Sequence, residues 1–318
     1  MTVTVDQPVT VEDKLFYRSW DLKQKNGKIR RITAPSPDLN KLQHDVLYYL
    51  YGMGIGEGPH AEGFVRSSRD PKTGEIVKQK NIVTNAEKHC GKEWVLNVDI
   101  KDFFPSCDEK KVIWVCKQEG MTDDQIAMII KHCMHEGNLP TGACTSPFLS
   151  NIVAKHLLDN RMAGLAETRK ATYSRYVDDL TWSSNEPLGS MIPVIKNIVK
   201  DAGFQLNPKK IVLMSSKKPQ MVTGLVVNPI HGVSASDVKP RVLRHRRRRF
   251  RAILHNALFD AKNGKLPKVN YGKAFGYISF MHMIDPELAQ KWKASLTLTQ
   301  DFENLLRRCT DAENPRHN

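Results

Sequence analysis

Thr172-Tyr173-Ser174-Arg175-Tyr176-Val177-Asp178-Asp179-Leu180-Thr181-Trp182-Ser183-Ser184 is the stretch that decides the fold. On either side of Val177-Asp178-Asp179 the residues are rich in β-branched and aromatic types, which predicts a hairpin over 172–184 with two acids at its tip. Aspartate in a turn is most often turn chemistry, because it tolerates such backbone positions and bonds to nearby amides. Two adjacent like charges between apolar strands, however, raise the free energy unless a cation or solvent compensates them. A third acid comes from Trp94 to Ile100, a short apolar run that reads as a buried strand ending at Asp99. Acids from separate strands meeting at one sheet edge suit hard Mg²⁺, which is held by a few carboxylates plus substrate phosphates. Two such ions, about 3.5–4 Å apart, serve the attacking and leaving oxygens of phosphoryl transfer.

Outward from these strands, the chain reads as one continuous unit. Phe16–Trp20 and Ile29–Thr33 flank the turn signal Lys25-Asn26-Gly27-Lys28 and predict a second hairpin. Leu39, Leu42, Val46, Leu47 and Leu50 stand at helical spacing. The glycine-dense run Gly52 to Gly58 matches neither a Walker loop nor a dinucleotide fingerprint and reads as a turn. Thr122-Asp123-Asp124-Gln125 is a capping-box pattern ahead of Ile126, Ile129, Ile130 and Cys133, and another helix begins near Ser146 and passes Leu158. From about Val238 the pattern is mostly helical.

Bulk composition narrows the partners. The 318 residues are 40% hydrophobic, enough for a substantial core, and carry a formal charge of +14. That imbalance points to a polyanion, and it is concentrated, since Lys239 to Arg251 holds eight Lys and Arg residues and no acid. No apolar run approaches the roughly 18 residues a membrane span needs, and the first residues lack a signal-peptide pattern. Six scattered cysteines fit reduced thiols better than a disulfide framework, so the expected location is the cytoplasm, with no membrane partner.

Tyr176-Val177-Asp178-Asp179 resembles the Tyr-x-Asp-Asp signature of reverse transcriptases, and Asn97-Val98-Asp99-Ile100-Lys101-Asp102-Phe103-Phe104 resembles their first catalytic strand. Leu139 to Pro147 is similar to the nucleotide-binding loop and helix start between them. Asn85-Ala86-Glu87-Lys88-His89 and Val222-Thr223-Gly224 resemble the Asn-Ala-x-x-His and Val-Thr-Gly elements that together mark bacterial retron reverse transcriptases.

The resemblance implies an α+β, right-hand polymerase: fingers over residues 1–90, a palm with an antiparallel sheet and part of the fingers over 91–237, and a helical thumb over 238–318. It assigns Asp99, Asp178 and Asp179 as catalytic and metal-holding, with the Ile100 carbonyl as an extra ligand to two Mg²⁺ ions. Lys28, Arg30, Thr141, Gly142 and Lys210 would bind the incoming dNTP, and Phe104 would act as the gate against a 2′-hydroxyl. The family usually has glutamine where this chain has Thr141 and often proline where it has Cys144. Asn85, His89, Val222, Thr223 and Gly224, with Arg244, Arg246, Arg247, Arg248, Arg249 and Arg251, would contact RNA. The implied partners are a cognate structured noncoding RNA, its branched DNA product primed from a 2′-hydroxyl, and a separate effector protein in antiphage defence.

Overall fold

The structure, a computed structural model, describes residues 14–24, 27–69, 72–74, 76–262 and 271–297. The leader before residue 14, Lys25 and Asn26 of the first predicted turn, Cys309 and the last part of the predicted thumb lie outside the described residues.

Strands β1 (Tyr17–Lys23) and β2 (Ile29–Pro35) pair antiparallel from Tyr17↔Pro35 to Lys23↔Ile29, so the first predicted hairpin is present and longer than its sequence signal. Ser36 then caps α1 (Pro37–Gly52) by accepting from the Leu39 amide, with proline at the first helical position where no amide is needed. A short pair, β3 (Ser68–Arg69) and β4 (Ile76–Lys78), precedes α2 (Ile82–Glu87). β5 (Trp94–Asp99) leads to α3 (Glu109–Gln118) and α4 (Asp123–Cys133). Both reciprocal bonds of the predicted capping box form at α4, between Thr122 and Gln125.

The helix predicted from Ser146 is α5 (Ser146–Ala154), which passes through a π-helical turn at Lys155–Asp159 into α6 (Asn160–Thr168). Next come β6 (Thr172–Tyr176), β7 (Asp179–Ser184), α7 (Met191–Asp201), β8 (Val212–Ser215), β9 (Met221–Val222) and β10 (Leu225–Val226). The chain continues as α8 (Arg244–Lys262), α9 (Tyr271–Ile284) and α10 (Pro286–Thr297).

The four-stranded sheet has the order β6-β7-β5-β8, and every pairing in it is antiparallel. One large apolar core joins this sheet to the helices behind it, through Leu96, Val98, Val115, Ile129, Phe148, Ile152, Leu180 and Trp182. A second core brings Val83 and Ala86 of α2 and Val222 and Leu225 of the β9–β10 hairpin against Phe250 of α8, Met281 of α9 and Ala289 of α10. The sheet thus presents one edge where strands end in acids, while the basic helix α8, with α9 and α10, is fastened to α2 and the β9–β10 hairpin. Among the described residues no helix is long and apolar enough to cross a membrane.

Candidate active site

Antiparallel pairing places the three acids. Asp99, the last residue of β5, stands opposite Asp179, the first of β7. Tyr176 pairs with the same Asp179 across the hairpin, which leaves Val177 and Asp178 as the two turn residues. Each of Asp99, Asp178 and Asp179 offers a carboxylate oxygen, and these atoms all lie within 4.8 Å of one another. Asp99 is buried and Asp178 half-buried, while Asp179 is exposed as a residue although protein atoms crowd its carboxyl group.

The turn is strained. Val177 has φ 61°, a left-handed value that suits glycine and is an outlier for a β-branched residue. Strain of this kind costs about 1–3 kcal/mol and persists only where the surroundings fix it. Here the Ile100 amide donates to the Asp178 carbonyl at 3.0 Å. Gly63 lies so close on the other side that a Cβ there would fall 2.7 Å from Val177 Cγ2.

Electrostatics follows from the crowding. Burial, together with the charge of Asp99, raises Asp178 above the ordinary carboxylate range, against the pull of Lys210 and Arg30. Asp179 is pushed up to about 7, by burial first and then by Asp178 and Asp99. Lys210 donates from Nζ to Asp99 Oδ2. Burial alone would lower the Lys210 ammonium; its bond to Asp99 and the three acids outweigh that and raise it. The raised carboxylates reflect burial first and mutual repulsion second, which the nearby Lys210 and Arg30 offset only in part. An all-oxygen donor set fits a hard divalent cation, so the residues present suit the metal the sequence implies.

Of the predicted nucleotide contacts, Lys210 and Arg30 act on this cluster. Arg30, on β2, is exposed and near enough for its charge to act on Asp178, and Lys28 is exposed just before the same strand. The Thr33 amide donates to the Thr141 carbonyl at 3.1 Å. Gly142, with φ 145°, approaches so closely that a Cβ would sit 2.8 Å from the Thr33 carbonyl oxygen. The 141–142 loop and the β1–β2 hairpin are therefore docked backbone to backbone. Phe103 is core, 5.8 Å from Phe204, whereas Phe104 is half-exposed, 6.3 Å from Phe64.

One expectation needs correction. Asn85 and His89 do not offer side chains to RNA; both are in the interior, 1% and 0% exposed. His89 lies between the hydroxyls of Ser183 and Ser174, each at 2.7 Å, and Ser174 donates to Asn85 Oδ1 at 2.6 Å. The Ser174 proton is thereby committed to Asn85, so Nε2 of His89 carries a proton and Nδ1 accepts from Ser183. Val222 is likewise fully buried, while Thr223 donates to the Ile82 carbonyl at 2.7 Å and Gly224 lies beside Arg246. The two short elements meet in one structural joint that carries the basic helix.

The arginines expected to contact RNA all lie on α8, where helical spacing puts Arg244, Arg247, Arg248 and Arg251 on one side and Arg246 and Arg249 off it. Phe250 and Leu254 anchor α8, and Arg244, Arg246, Arg247, Arg248, Arg249 and Arg251 are all exposed around the remaining circumference. Arg244 and Arg247 line a cleft with Arg241, Lys217 and Lys218, whereas Arg246 stands next to Gly224. Sequence reasoning also missed Asp159, Asn151 and Gly63, which surround the turn. Arg175, a charge inside a strand next to the acids, signals in the sequence only that some buried partner is needed and does not say which.

The family described as reverse transcriptase (RNA-dependent DNA polymerase) matches residues 22–227, a span that contains β2, the β6–β7 hairpin, the docked loop and all three acids. The chain belongs to this family. Its mixed helices and antiparallel sheet are those of the right-hand polymerase fold. Among curated relatives, the retron Mx162 reverse transcriptase of Myxococcus xanthus is 30% identical over 319 residues, covering 90% of this chain and 61% of that protein. The retron Ec86 reverse transcriptase of Escherichia coli is 30% identical over 277 residues, covering 85% of this chain and 77% of that one. The retron Ec73 reverse transcriptase of Escherichia coli is 28% identical over 311 residues, covering 90% of each. The chain spans about three fifths of the Myxococcus relative's length.

Proposed function

We propose that this protein is a retron-type RNA-directed DNA polymerase that copies its cognate structured noncoding RNA into branched, multicopy single-stranded DNA. The observation that carries the reading is the convergence of Asp99, Asp178 and Asp179 within 4.8 Å at a sheet edge faced by Arg30 and Lys210. Two Mg²⁺ ions held by these acids and the Ile100 carbonyl would supply the activated hydroxyl and neutralise the leaving pyrophosphate. The remaining work falls to side chains. Arg30, with a planar fork suited to phosphate oxygens, and Lys28 clamp the triphosphate, while Lys210 exchanges its bond to Asp99 for a phosphate when nucleotide enters. Thr141 and Gly142 form the floor under the nucleotide. Phe104 fills the space a 2′-hydroxyl would need, because an apolar pocket rejects an added hydroxyl poorly except by clash.

Away from the carboxylates, the exposed arginines of α8 and the Thr223-Gly224 turn hold RNA by its phosphates, a contact that gives affinity without reading sequence. Synthesis starts from a 2′-hydroxyl of the RNA itself, and the product works with a separate effector protein in antiphage defence, in the cytoplasm. Sequencing the nucleic acid that copurifies with the protein tests this reading. A branched RNA–DNA species is expected; RNA with no attached DNA, from cells in which the protein is folded and abundant, would count against it.

A further inference from the structure

Arg175 is 0% exposed, and a buried guanidinium is costly unless its donors are all placed. Its Nε and Nη2 form a two-pronged pair with Asp159, at 2.9 and 2.8 Å. Nη1 donates to Asn151 Oδ1 at 2.8 Å and to the Val177 carbonyl at 3.0 Å. Asp159 accepts a further bond from the Tyr173 hydroxyl at 2.8 Å. The backbone group that the Arg175 guanidinium itself reaches is thus the carbonyl of the strained turn residue.

The geometry on the other side is equally specific. Asn151 donates from Nδ2 to the Gly63 carbonyl at 3.0 Å, which fixes the glycine that abuts Val177. Asn151 and Asp159 come from α5 and from the last residue of the π turn, and both reach Arg175. π turns within helices are frequent at functional sites, because they redirect a side chain that a regular helix would aim elsewhere. Apolar residues of similar volume commonly stabilise a core as well as a buried ion pair does, so bulk stability is a weak account of this one. Its directed bond to the turn supplies a better one.

We propose that Arg175 and Asp159 are positioning residues, which hold the Val177–Asp178 turn in its left-handed conformation and thereby set the spacing of the three carboxylates. Asn151 completes the clamp by holding both Arg175 and the Gly63 wall. Without the clamp, Val177 relaxes to an ordinary backbone conformation and carries Asp178 out of register with Asp99. The inference rests on the polymerase reading of the site, and its test separates the two.

The test uses the full chain. Asp159→Asn keeps the shape of the side chain and removes its charge; Asn151→Ser leaves the ion pair and removes the third partner. Each is combined with Val177→Gly, which makes the left-handed conformation available without strain. Two readouts apply to protein shown to be folded by circular dichroism: Mn²⁺ affinity by calorimetry without nucleotide, and the Mg²⁺ dependence of primer extension. Asp159→Asn is expected to weaken Mn²⁺ binding by roughly tenfold and to raise the half-saturating Mg²⁺ by a similar factor, the size of effect that release of such strain permits. Asn151→Ser should act in the same direction by less. Val177→Gly should restore most of the lost affinity in either background. A merely structural role would lower the active fraction at every metal concentration, and glycine at the turn would rescue nothing. Unchanged metal dependence, or failure of Val177→Gly to rescue, overturns the proposal. If Asp159→Asn does not fold, Asn151→Ser and its glycine double variant decide by the same criteria. Wild-type protein inactive on every primed template would instead overturn the polymerase reading.

Discussion

Replacing His89 with glutamine should flatten the acid sensitivity of the protein's stability. His89 is fully buried between Ser174 and Ser183, and burial, with Lys88 and Lys92 adding to it, lowers its pKa from 6.5 to about 3. The folded chain therefore keeps this imidazole neutral where the unfolded chain protonates it. The unfolded state binds more protons below the ordinary histidine pKa, so stability falls as pH falls, from 6.5 down toward the folded value near 3. Integrating the linkage between about pH 7.5 and about pH 5.5 gives a loss of about 1.4 kcal/mol from this one group, and about as much again for the next pH unit. Carboxylates titrate in both proteins, so the difference between wild type and His89→Gln isolates the histidine. Urea unfolding at the two pH values, followed by circular dichroism, measures it. His89→Gln is expected to be less stable near neutrality, since glutamine cannot bridge both hydroxyls, yet to lose about 1.4 kcal/mol less on acidification. Equal losses in the two proteins would show that the imidazole is not held neutral, and the account of the joint under the sheet would fall with it.

Other outcomes follow from the geometry of the cleft. Phe104→Ala should reduce the preference for dNTP over rNTP, read as the ratio of kcat/KM values, by about 10–200-fold; an unchanged ratio would remove Phe104 from the gate. Neutralising Arg246, Arg247, Arg248 and Arg249 together should weaken RNA binding and flatten the slope of log affinity against log salt. Because these arginines are spread around α8, the slope should change by less than the roughly three units that four simultaneous phosphate contacts on single-stranded RNA would give. A full change of that size would place all four on one backbone, contrary to their separation in the structure.

The parts of this fold that were legible in the sequence are those with strong local signals. A capping box, alternating strands and a turn dipeptide name their own conformations, and α4, β5 and the β6–β7 hairpin stand where those signals put them. The acids were legible because charge between apolar strands is rare enough to need a reason. His89 and Asn85 were harder to place. A short polar motif looks the same whether its side chains face a ligand or each other, and only the buried hydroxyls of Ser174 and Ser183 on distant strands decide between the two. The role of Asp159 was invisible for a related reason. It depends on a π turn and on a backbone carbonyl in a strained residue, neither of which has a sequence signature.

The central claim is that Asp99, Asp178 and Asp179 act together on a metal-assisted transfer of nucleotides. Template-directed DNA synthesis on a primed RNA in the presence of Mg²⁺, compared between wild type and Asp178→Asn/Asp179→Asn, tests it most directly. The account predicts no extension by the double variant while its RNA affinity stays near that of wild type. Extension at an undiminished rate would contradict it.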